Sequence, residues 1–544
     1  MTYDLARAYR RARVYSRGDL RADLAAGLTG ATAGAPQAMA FAIVAGISPV
    51  YGLYAAIVST IIGGLFGVSN MMTTGPSNAL AVVVASTLAP FADSGDIVGR
   101  LVTLTFLVGA IELVMGLLRL GGLARYVSTA VMTGFVVGAA LQVLLGQLGH
   151  LTGVELDAPN PLLDLVQFLR QVGHLHPQTT AIGLVTIAII VWLHRTRLAP
   201  FATLVAIAIT GVAIALLGWQ ARGVDLVIDM APIPSTLPGV TLPTPSYVLD
   251  LLAGALALAV LGLVQTAALI QSIQRPDEDP PNTSREFIVQ GAGNLAGALF
   301  QSMPSSGSLS RTAVNIKSGA RTRWANVFAG LFVALIMLLF GGLAEQIALA
   351  ALAGHLVVAS TTLIDVGQMR FIWRASVAGR WAMGATLAST LILPLQFSVY
   401  VGVALSLLLY IAESSHIRLT RLEPLGDCRY RETAPPRRLP DAEPVLLSLQ
   451  GNLSFAAIRE LYGRLPDASR TQRPVVIMRL RGDGMLAGTG VAVLMAYHRR
   501  LRARGGKLIL CGVEPKIHDT LVRTGALELL GEENVFCAEE VVFA

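Results

Sequence analysis

Apolar stretches close to the length that crosses a bilayer, about 20 residues, recur along this chain from Asp23 to about Ser414. Hydrophobic residues make up 54% of the 544 residues and charged residues only 14%, against about 25% in soluble domains. This composition excludes an ordinary soluble enzyme and predicts a mostly α-helical membrane protein. We count fourteen candidate spans, which start near Leu24, Pro49, Gly75, Ile97, Leu123, Gln178, Leu198, Leu249, Phe287, Ser308, Trp324, Leu343, Trp381 and Phe397.

Basic residues are distributed unevenly between the loops that join these spans. With the N-terminus inside, the loops predicted to be cytoplasmic hold Arg119, Arg125, Arg195, Arg197, Arg275, Arg285, Lys317, Arg321, Arg323, Arg370, Arg374 and Arg380. The loops predicted to be external hold Arg100, Arg170 and Arg222 together with several acids. This bias follows the positive-inside rule, and an even span count returns the C-terminus to the cytoplasm. We therefore predict a multi-pass protein of the inner-membrane bilayer with both termini cytoplasmic.

Two of the fourteen spans open with sequences that form helices poorly. The third opens at residues 71–79 with Met-Met-Thr-Thr-Gly-Pro-Ser-Asn-Ala, and the tenth opens at residues 303–313 with Met-Pro-Ser-Ser-Gly-Ser-Leu-Ser-Arg-Thr-Ala. Each passes from a short extended stretch, through a glycine, into a helix. The two are seven spans apart, an odd number, so they enter the membrane in opposite directions. This pattern indicates an inverted repeat whose discontinuous helices meet near the bilayer midplane.

A helix that starts inside the membrane presents backbone N–H groups that have no partner within the helix. These groups carry the positive end of the helix dipole, so two such starts facing each other make an anion site with little formal charge. The serines of the two segments add neutral donors, and Arg311 adds an intramembrane positive charge, which is costly and therefore a functional candidate. The serines concerned are Ser77, Ser306, Ser308 and Ser310.

Each segment alone also has a structural interpretation. Gly75-Pro76-Ser77 can simply start a helix, with proline in the first turn, and small residues line helix–helix contacts in membranes. Because the two occur in matching positions of two halves and in opposite orientation, we favour the functional interpretation. In the first span we expect Pro36 to break the helix, and the amide of Gln37 must face protein or a cavity.

Several longer motifs resemble those of the sulfate permease (SulP) family, which includes the animal anion exchanger pendrin and the motor protein prestin. The matching stretches are residues 36–42 (Pro-Gln-Ala-Met-Ala-Phe-Ala), 45–49 (Ala-Gly-Ile-Ser-Pro), 52–54 (Gly-Leu-Tyr), 74–76 (Thr-Gly-Pro), 307–313 (Gly-Ser-Leu-Ser-Arg-Thr-Ala) and 318–322 (Ser-Gly-Ala-Arg-Thr). They occur in the family's order along nearly the whole chain.

The resemblance implies a seven-plus-seven inverted repeat like that of uracil permease, divided into a core and a gate domain, with elevator-like movement of the core. It also implies a C-terminal STAS domain and a homodimer. The residues expected around the anion are Gln37, Phe41, Gly75, Pro76, Ser77, Asn78, Ser306, Gly307, Ser308, Leu309, Ser310 and Arg311.

The chain departs from cation-coupled family members in the eighth span. Those members carry an aspartate or glutamate where this chain has Gln265, in residues 261–266 (Leu-Gly-Leu-Val-Gln-Thr). Because an amide cannot titrate, Na⁺ or H⁺ coupling at this position is in doubt. Glu112 is the other intramembrane acid and a candidate proton- or cation-binding group. We favour slightly a structural contact between Glu112 and a basic group.

From about Glu443 the pattern alternates between strands and helices, as in a small α/β domain. Residues 445–449, 475–480 and 507–511 are predicted strands, and residues 454–464, 488–504 and 515–524 are predicted helices. The phosphorylation loop of soluble STAS proteins is altered at residues 481–490, so that Thr489 is a weak acceptor candidate. The expected divisions are a basic cytoplasmic segment (1–23), a transmembrane anion transport domain (24–415), a linker (416–442) and the STAS domain (443–544).

The leading hypothesis is a secondary transporter for a small inorganic oxyanion, sulfate or bicarbonate. A dicarboxylate or chloride transporter or exchanger on the same fold, and a membrane-tethered STAS regulator, are the alternatives. No metal cluster, nucleophile elbow or phosphate loop supports an enzyme, so no catalytic residue, metal or cofactor is expected. The basic first segment, with six arginines against three aspartates, contributes to the positive net charge of +7, and no nucleic-acid partner is expected.

Overall fold

The structure is a computed structural model that describes residues 15–122, 127–156, 161–196, 198–234, 236–273, 282–414, 417–426, 429–441, 443–450, 461–481 and 488–538. The chain divides into two compact units, Met1–Ser406 and Leu407–Ala544.

The first unit is helical apart from two very short strands. The helices before its midpoint are α1 (Arg17–Val44), α2 (Pro49–Phe66), α3 (Asn78–Leu88), α4 (Ile97–Leu117), α5 (Thr129–Gly146), α6 (Leu148–Thr152), α7 (Pro161–Arg170), α8 (Pro177–Leu193), α9 (Ala202–Leu217) and α10 (Val227–Met230). Those that follow are α11 (Val248–Ile273), α12 (Thr283–Leu299), α13 (Leu309–Lys317), α14 (Trp324–Ala344), α15 (Leu349–Thr361), α16 (Val366–Ala375), α17 (Val377–Ile392) and α18 (Leu395–Ser414). Strand β1 (Thr74–Gly75) precedes α3, and strand β2 (Ser306–Gly307) precedes α13.

A helix begins within seven residues of each expected span start, the largest offset being between Leu24 and the observed start at Arg17. Among the described residues, six helical segments are long and apolar enough to cross a membrane: Pro49–Phe66, Ile97–Leu117, Thr129–Thr152, Pro245–Ile270, Trp324–Ala344 and Leu349–Ala375. Shorter apolar helices lie at Asn78–Ala92, Pro177–Leu193, Ala202–Leu217 and Phe397–Leu409.

Helix α1 runs without interruption through Pro36, so the expected break at this proline is wrong. Proline removes the hydrogen bond to the carbonyl one turn earlier, but neighbouring helices stabilise such a site in membrane proteins. Here α2 packs closely against the following turn: a Cβ atom on Gly52 would lie 2.0 Å from the carbonyl oxygen of Ala38. The tight packing holds α1 in helical form beyond the proline.

The second unit is built on a six-stranded sheet in the order β4-β3-β5-β6-β7-β8. The strands are β3 (Arg418–Gly426), β4 (Arg429–Thr433), β5 (Pro444–Gln450), β6 (Val475–Arg481), β7 (Lys507–Val513) and β8 (Val535–Cys537), and the helices include α19 (Gly488–Arg502), α20 (Pro515–Arg523) and α21 (Ala526–Leu530). Strands β5 to β8 are parallel, whereas β3 pairs antiparallel with both β4 and β5. Apolar residues such as Leu447, Met478 and Leu494 form its core.

The expected linker at residues 416–442 is wrong in part, because β3 and β4 belong to this sheet. Arg418 pairs with Gln450, and Leu419 pairs with Leu449. Leu419 and Leu422 are buried, but Arg418, Arg421 and Glu423 beside them obscure the alternation in the sequence. Thr489 lies in the first turn of α19. Residues 451–460 and 482–487, which include most of one predicted helix and of the phosphorylation loop, lie outside the described residues.

Candidate anion-binding site

A cavity of about 490 Å³ lies within the first unit, beside the starts of α3 and α13. Its lining comes from α1, α3, α5, α11, α13, α15 and α16. The lining residues are Gln37, Phe41, Ser77, Asn78, Ala79, Thr129, Met132, Thr133, Val136, Ala139, Gln265, Ala268, Leu269, Gly307, Ser308, Leu309, Ser310, Ala359, Thr362, Leu363, Asp365 and Gln368.

The two short strands bring the two helix starts together. β1 and β2 pair antiparallel, Thr74 with Gly307 and Gly75 with Ser306, and the backbone N–H of Ser308 donates to the carbonyl oxygen of Thr73. Ser77 and Ser308 are the capping residues of α3 and α13, and the side chain of neither caps its helix. The first N–H groups of both helices have no partner within their helices, and both starts line the cavity.

One group of polar side chains on the lining joins α1 to α13. The Nε2 of Gln37 donates to the Oγ of Ser310 at 3.1 Å, and the Oγ atoms of Ser308 and Ser310 are 3.4 Å apart. Leu309 is 57% exposed and Ser310 is also exposed, and both line the cavity. Because Ser310 accepts from Gln37, its own hydroxyl proton can go to a ligand when Ser308 is the donor between the two serines.

A second polar group centres on Gln265 of α11. The hydroxyls of Ser77 and Ser306 both donate to its Oε1, at 3.4 and 3.2 Å. The two hydroxyl oxygens are themselves 3.5 Å apart. Gln265 therefore contacts the capping residue of α3 and a residue of β2 at once.

The side chain of Arg311 was expected to surround the anion, but Arg311 is not among the residues that line the cavity. It is buried and lies behind the cavity, where one Nη donates to the carbonyl oxygen of Pro76 at 3.2 Å. Its Nε has no hydrogen-bond partner within the described structure. The side chain lines a separate cavity of about 20 Å³ instead. Arg311 thus contributes its charge to the site from behind the β1–α3 junction.

Glu112 is fully buried and its partners are amides, so the expected contact with a basic group is wrong. Its two carboxylate oxygens accept from the Nε2 of Gln290 at 2.6 Å and from the Nδ2 of Asn294 at 2.7 Å. Asn294 also bonds both backbone groups of Ser305. Gln290 accepts from Thr266, whose Oγ1 accepts from the N–H of Gly307 at 3.0 Å. The network holds β2 in place from the side away from the cavity.

Most of the residues expected around the anion line one cavity, namely Gln37, Phe41, Ser77, Asn78, Gly307, Ser308, Leu309 and Ser310. Four others, Gly75, Pro76, Ser306 and Arg311, form a layer behind it.

The sequence analysis missed the network of Thr266, Gln290 and Asn294. Gln290 and Asn294 are four residues apart on one helix, and two amides in an apolar span are a signal that could have revealed them.

The sequence analysis also missed the cavity residues on α5 and α16. Thr129, Thr362 and Asp365 are exposed and form what we call the cavity mouth. Asp365 is the single ionisable residue among the described residues that line the cavity. No signal in the sequence relates these positions to residues far away in the chain.

Comparison with known proteins matches the two parts of the chain to two family models. Residues 20–386 match the model of the sulfate permease family, and residues 437–540 match that of the STAS domain. A probable sulfate transporter of Mycobacterium tuberculosis is 30% identical, with 96% of this chain and 95% of the relative aligned. The sodium-independent sulfate anion transporter of Bos taurus is 28% identical over 65% of this chain and 64% of the relative.

The fold is that of a solved anion transporter. Murine solute carrier 26 family member A9, in the inward-facing state, superposes with a TM-score of 0.82 at 19% identity, covering 95% of this chain and 90% of that one. Together with the apolar helices, these matches show that the chain belongs to the sulfate permease family of anion transporters, as a multi-pass membrane protein with a C-terminal STAS domain.

Proposed function

We propose that the chain moves a small inorganic oxyanion, sulfate first and bicarbonate as the other member of the class, across the inner membrane. The observation that carries this proposal is the antiparallel pairing of β1 with β2, because it brings the starts of α3 and α13 to one cavity. The anion is bound by the first N–H groups of these helices and by neutral side chains, among them Ser308 and Ser310. The names of the relatives favour sulfate.

The group around Gln265 supports an anion rather than a cation. Gln265, Ser77 and Ser306 together hold four donor hydrogens. The two bonds to Gln265 use both serine hydroxyl protons, so no proton is left for a bond between the serines and the two Nε2 hydrogens of Gln265 remain. At least one donor is left for a ligand. A carboxylate at the same position would use both hydroxyl protons and add a negative charge, which would suit a cation.

We therefore infer electrogenic uniport or anion exchange that is indifferent to a Na⁺ gradient. Gln265 offers a Na⁺ ion only a neutral oxygen that two hydroxyls already occupy. The bovine relative is named as sodium-independent, which agrees with this inference. Any pH dependence then comes from the speciation of the anion itself.

The proposed movement is elevator-like, in a fold of fourteen spans arranged as a seven-plus-seven inverted repeat. Support comes from the antiparallel strands β1 and β2, each followed at once by a short helix. The cavity mouth includes Asp365, which immediately precedes α16, the helix that carries Arg370, an arginine predicted to be cytoplasmic. This agrees with a cavity open to the inside and with cytoplasmic termini. We also propose that the chain assembles as a homodimer.

One observation favours a second substrate class. The cavity volume of about 490 Å³ equals that of roughly sixteen water molecules at about 30 Å³ each, far more than one sulfate needs. A dicarboxylate such as fumarate would fit, as would chloride with its hydration shell. The membrane-tethered regulator has less support, because most of the residues expected around the anion line one cavity, while the phosphorylation loop is altered in the sequence.

The test is uptake by purified protein in proteoliposomes. Labelled sulfate, bicarbonate, chloride and fumarate are compared with and without a Na⁺ or pH gradient, at clamped membrane potential. We expect saturable sulfate or bicarbonate uptake that responds to potential or to a trans anion and not to Na⁺. Uptake of fumarate alone would replace the oxyanion assignment, and no uptake of any anion by folded protein would contradict a transport role.

A further inference from the structure

A carboxylate stands at the entrance of a cavity that we assign to anions. Asp365 lines the cavity, and its side chain is exposed at the mouth. Its Oδ1 accepts the N–H of Gln368 at 2.9 Å, so that it caps the start of α16. This bond fixes the carboxylate beside Thr362 and Gln368, which also line the cavity. Asp365 is therefore a fixed negative charge on the path of the anion.

Neutral groups make up the rest of the described lining, so nothing there cancels this charge. The arginines of α16, Arg370 and Arg374, are exposed and are not among the lining residues. The start of α16 carries only a partial positive charge, which is smaller than the unit charge of Asp365. Asp365 therefore adds a repulsive contribution to the attraction that the starts of α3 and α13 exert on an anion.

The geometry points to Asp365 as a residue that determines specificity by anion valence. The repulsion energy from one fixed charge is proportional to the charge of the approaching anion. A divalent anion such as sulfate is therefore disfavoured twice as much, in free energy, as a monovalent anion. Asp365 shifts the relative affinity of the cavity towards monovalent anions, and replacing Asp365 by a neutral residue shifts this relative affinity towards divalent anions. This inference rests on the proposed function.

The experiment compares wild-type protein with Asp365→Asn and Asp365→Ser, which keep an oxygen that can cap α16. Binding of sulfate and of nitrate to the purified full-length protein is measured by calorimetry at low and high salt. Both anions keep their charge around neutral pH. For a separation on the order of 10 Å and an effective dielectric constant of about 50, loss of the charge strengthens nitrate binding roughly threefold and sulfate binding roughly ninefold.

Salt distinguishes this electrostatic role from a structural one. The Debye length falls from about 30 Å at 0.01 M to about 3 Å at 1 M salt, so the gain in both variants should vanish at high salt. Asp519→Asn removes the same charge from α20 of the second unit and should change neither affinity. We call this proposed discrimination by anion charge the valence filter. Equal fold-changes in affinity for the two anions, or changes in affinity that persist at high salt, would overturn it.

The same measurement separates the filter from the proposed function. If wild-type protein binds sulfate or nitrate but the variants show no valence dependence, the filter fails and the proposed function stands. If folded wild-type protein binds neither anion and transports none, the proposed function fails, and the filter with it.

Discussion

The guanidinium of Arg311 lies directly against the backbone of Gly75: a Cβ atom on Gly75 would come within 2.2 Å of the Arg311 Nη1. Gly75 ends β1, two residues before the capping residue of α3. The absence of a side chain there allows Arg311 to reach the carbonyl oxygen of Pro76. The segment that leads into α3 thus depends on a side chain of α13.

Gly75→Ala should displace this guanidinium and lower sulfate uptake at subsaturating concentration at least tenfold. The reason is that a charged hydrogen bond, worth about 1.5–3 kcal/mol, is lost at the β1–α3 junction. In an Arg311→Gln background the same substitution should have much less effect, since the effects of substituting two residues in contact are not additive. Gly384→Ala on α17 is the control, because no atom lies within 4 Å of its added Cβ. Additive effects of Gly75→Ala and Arg311→Gln would show that the contact does not matter for transport.

Ser310→Ala should raise the KM for the anion more than tenfold while the protein stays folded. Its oxygen accepts from Gln37, so its hydroxyl proton can turn to the ligand when Ser308 is the donor between the two serines, and one hydrogen bond to a charged ligand contributes about 1.5–3 kcal/mol. Uptake kinetics measure the effect. Ser389→Ala, whose hydroxyl bonds within α17, should leave KM unchanged. An unaltered KM in Ser310→Ala would remove this residue from the site.

Gln265→Glu should weaken anion binding and introduce dependence on Na⁺ or protons. The new carboxylate accepts from Ser77 and Ser306, leaves no donor for the anion and adds a negative charge that a cation can neutralise. Gln265→Asn keeps a neutral amide and should remain independent of cations. The measurement is uptake under an imposed Na⁺ gradient at clamped potential and pH. Na⁺-driven accumulation by the wild type would show that a cation site lies elsewhere, with Glu112 as the first position to test.

Glu112→Gln should destabilise the protein and lower its transport rate together. Both amide donors, from Gln290 and Asn294, point at the carboxylate, whereas a glutamine offers one acceptor oxygen and turns an NH₂ group towards the other donor. A buried donor without a partner costs about 1–3 kcal/mol. Thermal unfolding in detergent and uptake in liposomes measure the two effects. Unchanged stability together with loss of proton-driven uptake would instead identify Glu112 as a proton carrier.

A fragment of the second unit that starts at Ile417 should fold, whereas one that starts at Glu443 should aggregate. The shorter fragment lacks β3 and β4 and exposes the edge of β5, to which β3 is paired, and an open strand edge promotes association. It also loses the buried side chains of Ile417 and Leu419. Circular dichroism during urea unfolding and gel filtration compare the two. Cooperative unfolding of a monomeric shorter fragment would show that β3 is dispensable.

Local patterns in the sequence were sufficient to predict the helices and the two broken segments. The length and apolarity of each run predict a membrane helix because the bilayer imposes both. The glycine, proline and serines of residues 74–77 and 306–310 interrupt that apolar pattern, whichever boundaries are chosen for the spans. The alternation in the second unit likewise predicts its parallel strands.

The tertiary structure decided which of these residues meet. Whether Arg311 faces the anion or the carbonyl of Pro76 depends on the pairing of β1 with β2, which joins residues more than 200 positions apart. The partners of Glu112, the strands β3 and β4 and the position of Asp365 at the cavity mouth also depend on contacts between distant segments. Hydrophobicity and helix signals are local properties of the chain, whereas cavities and the hydrogen bonds between distant residues arise only when distant segments pack together.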